Sequence, residues 1–88
     1  MKLSKKHDDT LKKIHHRPVL GTIAWADIEK LFKALGAEIK ERKGSRVAVI
    51  LNGRPHIFHR PHPKNVTDKG AVESVKQVLE QHFPDIKS

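Results

Sequence analysis

The apolar residues recur with two different periods, and the change of period marks the elements. Trp25, Ile28, Phe32 and Leu35 lie at helical spacing with Leu31 beside them, which predicts an amphipathic helix that needs a core to rest on. Thr22 is placed to cap it, and Gly36 suits the left-handed conformation that ends a helix. Ala37 to Arg42 alternates like a half-exposed strand, and Lys43-Gly44-Ser45 supplies a turn. Arg46 to Leu51 is a nearly continuous run of β-formers closed by Asn52-Gly53, a strong hairpin signal, so Arg54 to about His59 must be the return strand. Pro61 and Pro63 end it, because neither can donate to a ladder. A last helix opens at Thr67 or Asp68, buries Ala71, Val72, Val75, Val78, Leu79 and Phe83, and stops at Pro84.

Ahead of these elements Ser4 caps a short helix through about Ile14. His7, Leu11 and Ile14 make a thin apolar stripe there, with Asp8-Lys12 and Asp9-Lys13 as i,i+4 pairs. So little apolar surface predicts a peripheral helix able to fray alone, joined to the rest by an irregular link from His16 to Gly21. The order is helix, helix, three antiparallel strands, helix. The expected fold is α+β, a three-stranded antiparallel sheet with helices on one face (αβββα) plus the extra N-terminal helix. One domain spans 1–88, with the extension helix at about 4–15 and the core at about 22–83. A chain this small buries only about 60% of its unfolded surface, so a large enclosed active site is not expected.

The hairpin fixes which residues share a face. With Asn52 and Gly53 at the turn, Leu51 faces Arg54, Val49 faces His56, Val47 faces Phe58 and Arg46 faces His59. One sheet face then carries Arg46, Ala48, Ile50, Pro55, Ile57 and His59, while His56 lies on the other. Phe58 joins Val47 and Val49 on that second face. Together with Trp25 and Phe32 it is expected in the core rather than on a base-stacking platform.

Charge narrows the partner. The chain has 18 Lys and Arg against 10 Asp and Glu, a formal charge of +8 in 88 residues, which favours a polyanion and nucleic acid first. The basic N-terminus has no apolar run behind it, and no stretch of ~18 apolar residues occurs, so neither signal peptide nor membrane span is expected and a cytoplasmic location is. Absence of cysteine removes disulfides, thiolate metal sites and cysteine nucleophiles. Direct DNA binding is not expected: there is no helix-turn-helix, and the Trp25 helix spends its apolar side on the core.

Four local runs occur in a telling order: Leu35-Gly36 before the first strand, Lys43-Gly44-Ser45 at the first turn, Arg60-Pro61-His62 after the third strand, and Lys69-Gly70-Ala71-Val72 opening the last helix. In order and spacing they resemble the landmarks of HicA toxins, over roughly Trp25 to Leu79. The resemblance implies a double-stranded-RNA-binding-like fold. It also implies a ribosome-independent ribonuclease that cuts messenger RNA, arrests growth and is neutralised by a HicB-type antitoxin covering its active surface. HicA toxins usually carry the catalytic histidine just after the Gly-Ser turn, where this chain has Arg46 and Val47.

Cutting RNA without a metal needs a base for the 2′-hydroxyl proton, an acid for the departing 5′-oxygen, and cations beside the crowded phosphorane. Histidine suits the first two roles and arginine the third. The segment from His56 to Lys64 concentrates these groups. His59 and His62 are the candidate acid–base pair. Arg46, Arg60 and Lys64, with Lys43 and Ser45 on the turn, are the candidate RNA- and phosphate-binding residues. Histidines at 56, 59 and 62 also invite a metal, but alternation splits His56 from His59 and no carboxylate or thiolate lies nearby, so neither metal nor cofactor is expected. Two other classes stay open: a non-catalytic RNA-binding module in which the basic loop only positions RNA, and a subunit whose basic face docks an acidic protein.

Overall fold

The structure, a computed structural model, describes residues 3–61 and 65–86. Its elements are α1 (Lys5–His15), α2 (Trp25–Ala34), β1 (Glu38–Glu41), β2 (Arg46–Leu51), β3 (Arg54–His59) and α3 (Lys69–His82). The strands form one antiparallel sheet in the order β1-β2-β3. The helices lie against one face of it, as the α+β expectation required.

The hairpin sets the geometry of everything near the site. Asn52 and Gly53 take φ of 51° and 76°, the two left-handed positions of a tight turn whose twist matches that of the strands. With that turn fixed, β2 and β3 pair from Leu51–Arg54 to Arg46–His59, the register anticipated from Asn-Gly. On the other side β1 pairs from Glu38–Ile50 to Glu41–Val47. The strand is shorter than Ala37–Arg42, yet the Arg42 N–H still donates to the Arg46 carbonyl at 2.9 Å and carries the ladder one step further.

Val47, Val49, Leu51 and Phe58 on the covered sheet face meet Trp25, Ile28, Leu31 and Phe32 of α2 and Val72, Val75 and Leu79 of α3 in one core. The Phe58 ring lies 5.6 Å from Trp25 and 6.1 Å from Phe32, so these aromatic groups are packing and not a stacking platform.

Two expectations are corrected. Thr22 does not cap α2. The cap is Ala24, without a side-chain bond, because residues 23–25 are held extended against 65–67: Trp25 N–H donates to the Asn65 carbonyl at 2.9 Å and Thr67 N–H to the Ile23 carbonyl at 2.8 Å. Thr67 is spent in that contact, and Asp68 caps α3, its carboxylate accepting from the Ala71 N–H at 2.8 Å.

Nor is α1 peripheral. Ser4 caps it as expected and Lys12 reaches Asp8 at 3.4 Å, although Asp9 pairs with Lys5 rather than Lys13. Leu11 and Ile14, only 1% and 0% exposed, sit in the common core, and α1 packs against both α2 and α3. Two residues suffice because both are fully enclosed. Ile14→Ala is therefore expected to destabilise the domain by about 2–4 kcal/mol. A peripheral helix would give about 0.5 kcal/mol or less. Thermal unfolding followed by circular dichroism separates the two.

Candidate active surface

The sheet face away from the helices is open at Arg46, Pro55, Ile57 and His59, while the small Ala48 at its centre is buried beneath its neighbours' side chains. Arg46 on β2 and His59 on β3 stand directly opposite each other on it, both exposed. The hairpin turn produces this juxtaposition from the far end of the ladder, since strand pairing transmits the register from Asn52-Gly53 to the last pair. Beyond that pair the Arg60 N–H donates to the Ser45 carbonyl at 2.8 Å, which fastens the exit of β3 to the β1–β2 turn. Gly44, with φ of 68°, gives that turn its left-handed step. Lys43 and Ser45 are exposed on it, and the Arg46 Nε points back to the Lys43 carbonyl at 3.4 Å. Lys43, Ser45, Arg46 and His59 thus gather at one end of the sheet.

Arg60 is turned the other way, toward the helices. Its Nε donates to Glu29 of α2 at 2.9 Å, a second nitrogen reaches the same carboxylate at 3.4 Å, and a third donates to Glu41 at the end of β1. Glu29 also accepts the indole N–H of Trp25. Hydrogen bonds donated to Glu29, and after it to Glu41, raise the pKa of the guanidinium above even its ordinary value, so it is a fixed charge within a carboxylate clamp. Sequence reasoning did not find Glu29 or Glu41. The one signal for Glu29 is its place four residues after a tryptophan whose N–H needs a partner once the ring is buried. His62 and Lys64 lie outside the described residues.

His56 is on the covered face, away from His59, as alternation required. Its Nε2 lies 2.8 Å from Nε2 of His82 in the last turn of α3, and the Nδ1 of His82 lies 3.4 Å from the Asn52 amide nitrogen. The ring centroids are 5.0 Å apart and the rings nearly perpendicular, about the nitrogen separation plus the two ring radii, so the nitrogens meet head-on. One proton fits between them; two would clash. Sequence periodicity could not bring residues from a strand and a helix terminus together in this way.

Burial lowers the His56 imidazole below its ordinary 6.5, and His82 and Arg54 push in the same direction. The unfolded chain therefore takes up a proton there at higher pH than the folded chain does. The contribution of neutral His56 to stability is complete above about pH 6.5 and is lost as the pH falls through its lower folded value. Chemical denaturation at pH 8 and pH 5 measures it: the midpoint of the wild type is expected to fall further than that of His56→Gln, and equal falls would contradict it.

Among the described residues no three histidine or acidic side chains cluster as a metal site, and no helix is long and apolar enough to cross a membrane. What the open face can do chemically is hold an anion beside an exposed imidazole.

A family model described as HicA toxin of bacterial toxin-antitoxin matches residues 25–82, from the first residue of α2 to the last of α3. No curated protein and no solved structure matches the chain.

Proposed function

The chain belongs to the HicA toxin family of bacterial toxin–antitoxin pairs, and from that premise we propose that it acts as a metal-independent endoribonuclease on messenger RNA. A HicB-type antitoxin is proposed as the partner that silences it, by covering the open sheet face. The single observation that supports the activity most directly is the pairing of exposed His59 with exposed Arg46 at one end of an uncovered sheet.

In the proposed reaction one imidazole takes the proton of a 2′-hydroxyl as its oxygen attacks the adjacent phosphorus. A second group returns a proton to the 5′-oxygen as the P–O5′ bond breaks. Charge building up on the non-bridging oxygens is met by Arg46, whose planar fork suits a phosphate. His59 fills one of the proton-transfer roles and His62 is proposed for the other, with Lys64, Lys43 and Ser45 adding phosphate contacts. An arginine side chain has no free lone pair with which to take a proton, so Arg46 cannot replace the histidine usual after the Gly-Ser turn as a base. Its proposed role is electrostatic, and the proton chemistry moves across the ladder to His59. For Arg60, held by Glu29 and Glu41, the proposed phosphate contact requires Glu41, the more exposed of its two carboxylates, to give way.

One observation favours a second reading. Among the described residues His59 is the one imidazole on the open face, which is sufficient for an RNA-binding module that holds its ligand without cutting it. Incubating purified, partner-free protein with unstructured RNA in EDTA decides between them. New RNA ends are the result expected of the nuclease; intact RNA retained on the protein would establish the module.

A further inference from the structure

The ladder places more on the open face than the nuclease proposal uses. Continuing the β1–β2 register through the Arg42–Arg46 backbone bond puts Arg42 beside Arg46, so that Arg42, Arg46 and His59 form one row across the sheet. The next row is Lys40, Ala48 and Ile57, and the one after it Glu38, Ile50 and Pro55. Two like charges placed directly opposite each other destabilise a sheet. Two arginines hold carboxylates, Arg17 with Glu73 and Arg60 with Glu29 and Glu41, while Arg54 stands singly on the other face with none among the described residues. Among the described residues Arg42 and Arg46 have none, and the face's one acidic strand residue, Glu38, is taken by Lys40 at 3.8 Å. Next to this uncompensated row Ile57 is 51% exposed, a large apolar side chain in the middle of a face that no helix covers.

We propose that a single RNA strand crosses the open face with one phosphate bridging Arg42 and Arg46 and an adjoining nucleobase lying flat against Ile57. Arg42 is thereby a phosphate-binding residue and Ile57 a base-contacting residue, roles that rest on RNA being the ligand as proposed above. A phosphate supplies the negative charge that the two guanidinium groups lack. The base supplies apolar area for Ile57, and it must be unpaired to do so, because an A-form duplex buries the faces of its bases. Isoleucine offers no hydrogen bond, so the contact accepts any base and the resulting sequence preference is loose.

The two contacts leave different marks on binding. A phosphate contact releases counterions and an apolar contact does not. Fluorescence anisotropy with a labelled single-stranded 2′-O-methyl RNA, which lacks the nucleophilic hydroxyl and is not cut, reads them across a salt series with the full chain. Arg42→Gln is expected to weaken binding about fivefold and to lower the log–log salt slope by about 0.7. Arg54→Gln, an equal charge change at an exposed arginine on the other side of the hairpin, is expected to leave the slope near that of the wild type. Ile57→Thr, which keeps the β-branched shape the strand favours, is expected to weaken binding about fivefold with the slope unchanged.

Equal slopes for Arg42→Gln and Arg54→Gln, or wild-type binding by Ile57→Thr, would overturn the inference. So would loss of antitoxin capture by both variants with RNA binding intact, which would assign the face to a protein partner. If the variants behave as expected but the wild type never cuts unmodified RNA, the nuclease proposal fails and this surface stands. If the wild type retains no RNA, both fall.

Discussion

Replacing His59 by alanine is expected to lower RNA cleavage by about 10²–10⁴-fold, the range associated with losing one proton-transfer group from a transition state. The fold should not change. His59 is exposed on the open face and its side chain makes no hydrogen bond among the described residues, so the alanine leaves neither a cavity nor an orphaned partner. RNA binding should weaken far less than cleavage, because the guanidinium and ammonium groups proposed to hold the phosphate remain. Initial rates on unstructured RNA in EDTA, with thermal unfolding of the same preparation, check both halves. An unchanged rate would remove His59 from the chemistry, and a lowered melting temperature would mean that the loss is structural.

The second large effect concerns the scaffold. Phe32→Ala is expected to destabilise the domain by about 3–5 kcal/mol, from lost transfer free energy together with the cavity left behind. Phe32 is 0% exposed and its ring meets Phe58, which in turn meets Trp25, so the cavity opens where α2 is seated on the sheet. A domain of this size has only about 5–10 kcal/mol to lose, and the melting temperature should drop by about 15–30 °C. Activity measured well below that temperature should survive, because the open face lies on the far side of the sheet. The contrast with His59→Ala, which is expected to lose activity and keep its stability, separates the two faces experimentally. Urea denaturation of the pair of variants provides the comparison.

The two faces also differ in how far they could be read in the sequence. Asn52-Gly53 admits one tight turn, and from it the alternation of β2 and β3 follows residue by residue; this is why the opposition of Arg46 and His59 is legible in the sequence. Helix spacing likewise exposed the seats of Phe32 and Val75. What escaped depends on contacts between segments distant in the chain. Thr22 has the chemistry of a cap, but the pairing of 23–25 with 65–67 moves the helix start to Trp25. The N-terminal helix has a thin stripe, yet complete enclosure of Leu11 and Ile14 makes it part of the core. Arg60 belongs to a basic run in sequence, whereas in space Glu29 and Glu41 enclose it, and nothing in local periodicity pairs a residue of α2 and one of β1 with the exit of β3. The same holds for His56 and His82, which meet only because the last turn of α3 passes the hairpin.

The family model begins at Trp25, so α1 lies outside the match while contributing to the same core. Its fully enclosed side chains make it part of the scaffold that seats α2 and α3. The open face, by contrast, is assembled wholly from β1, β2, β3 and the turns between them, within the matched segment.

The wild-type chain is proposed to cut RNA through the 2′-hydroxyl by proton transfer at His59, without a metal. End-group analysis of the fragments formed in EDTA tests it most directly. Attack by the 2′-oxygen leaves 5′-hydroxyl ends with the phosphate on the other fragment, and the same RNA should stay uncut when its 2′-oxygens are methylated. Fragments carrying 5′-phosphates, or cleavage that persists on the methylated strand, would contradict it.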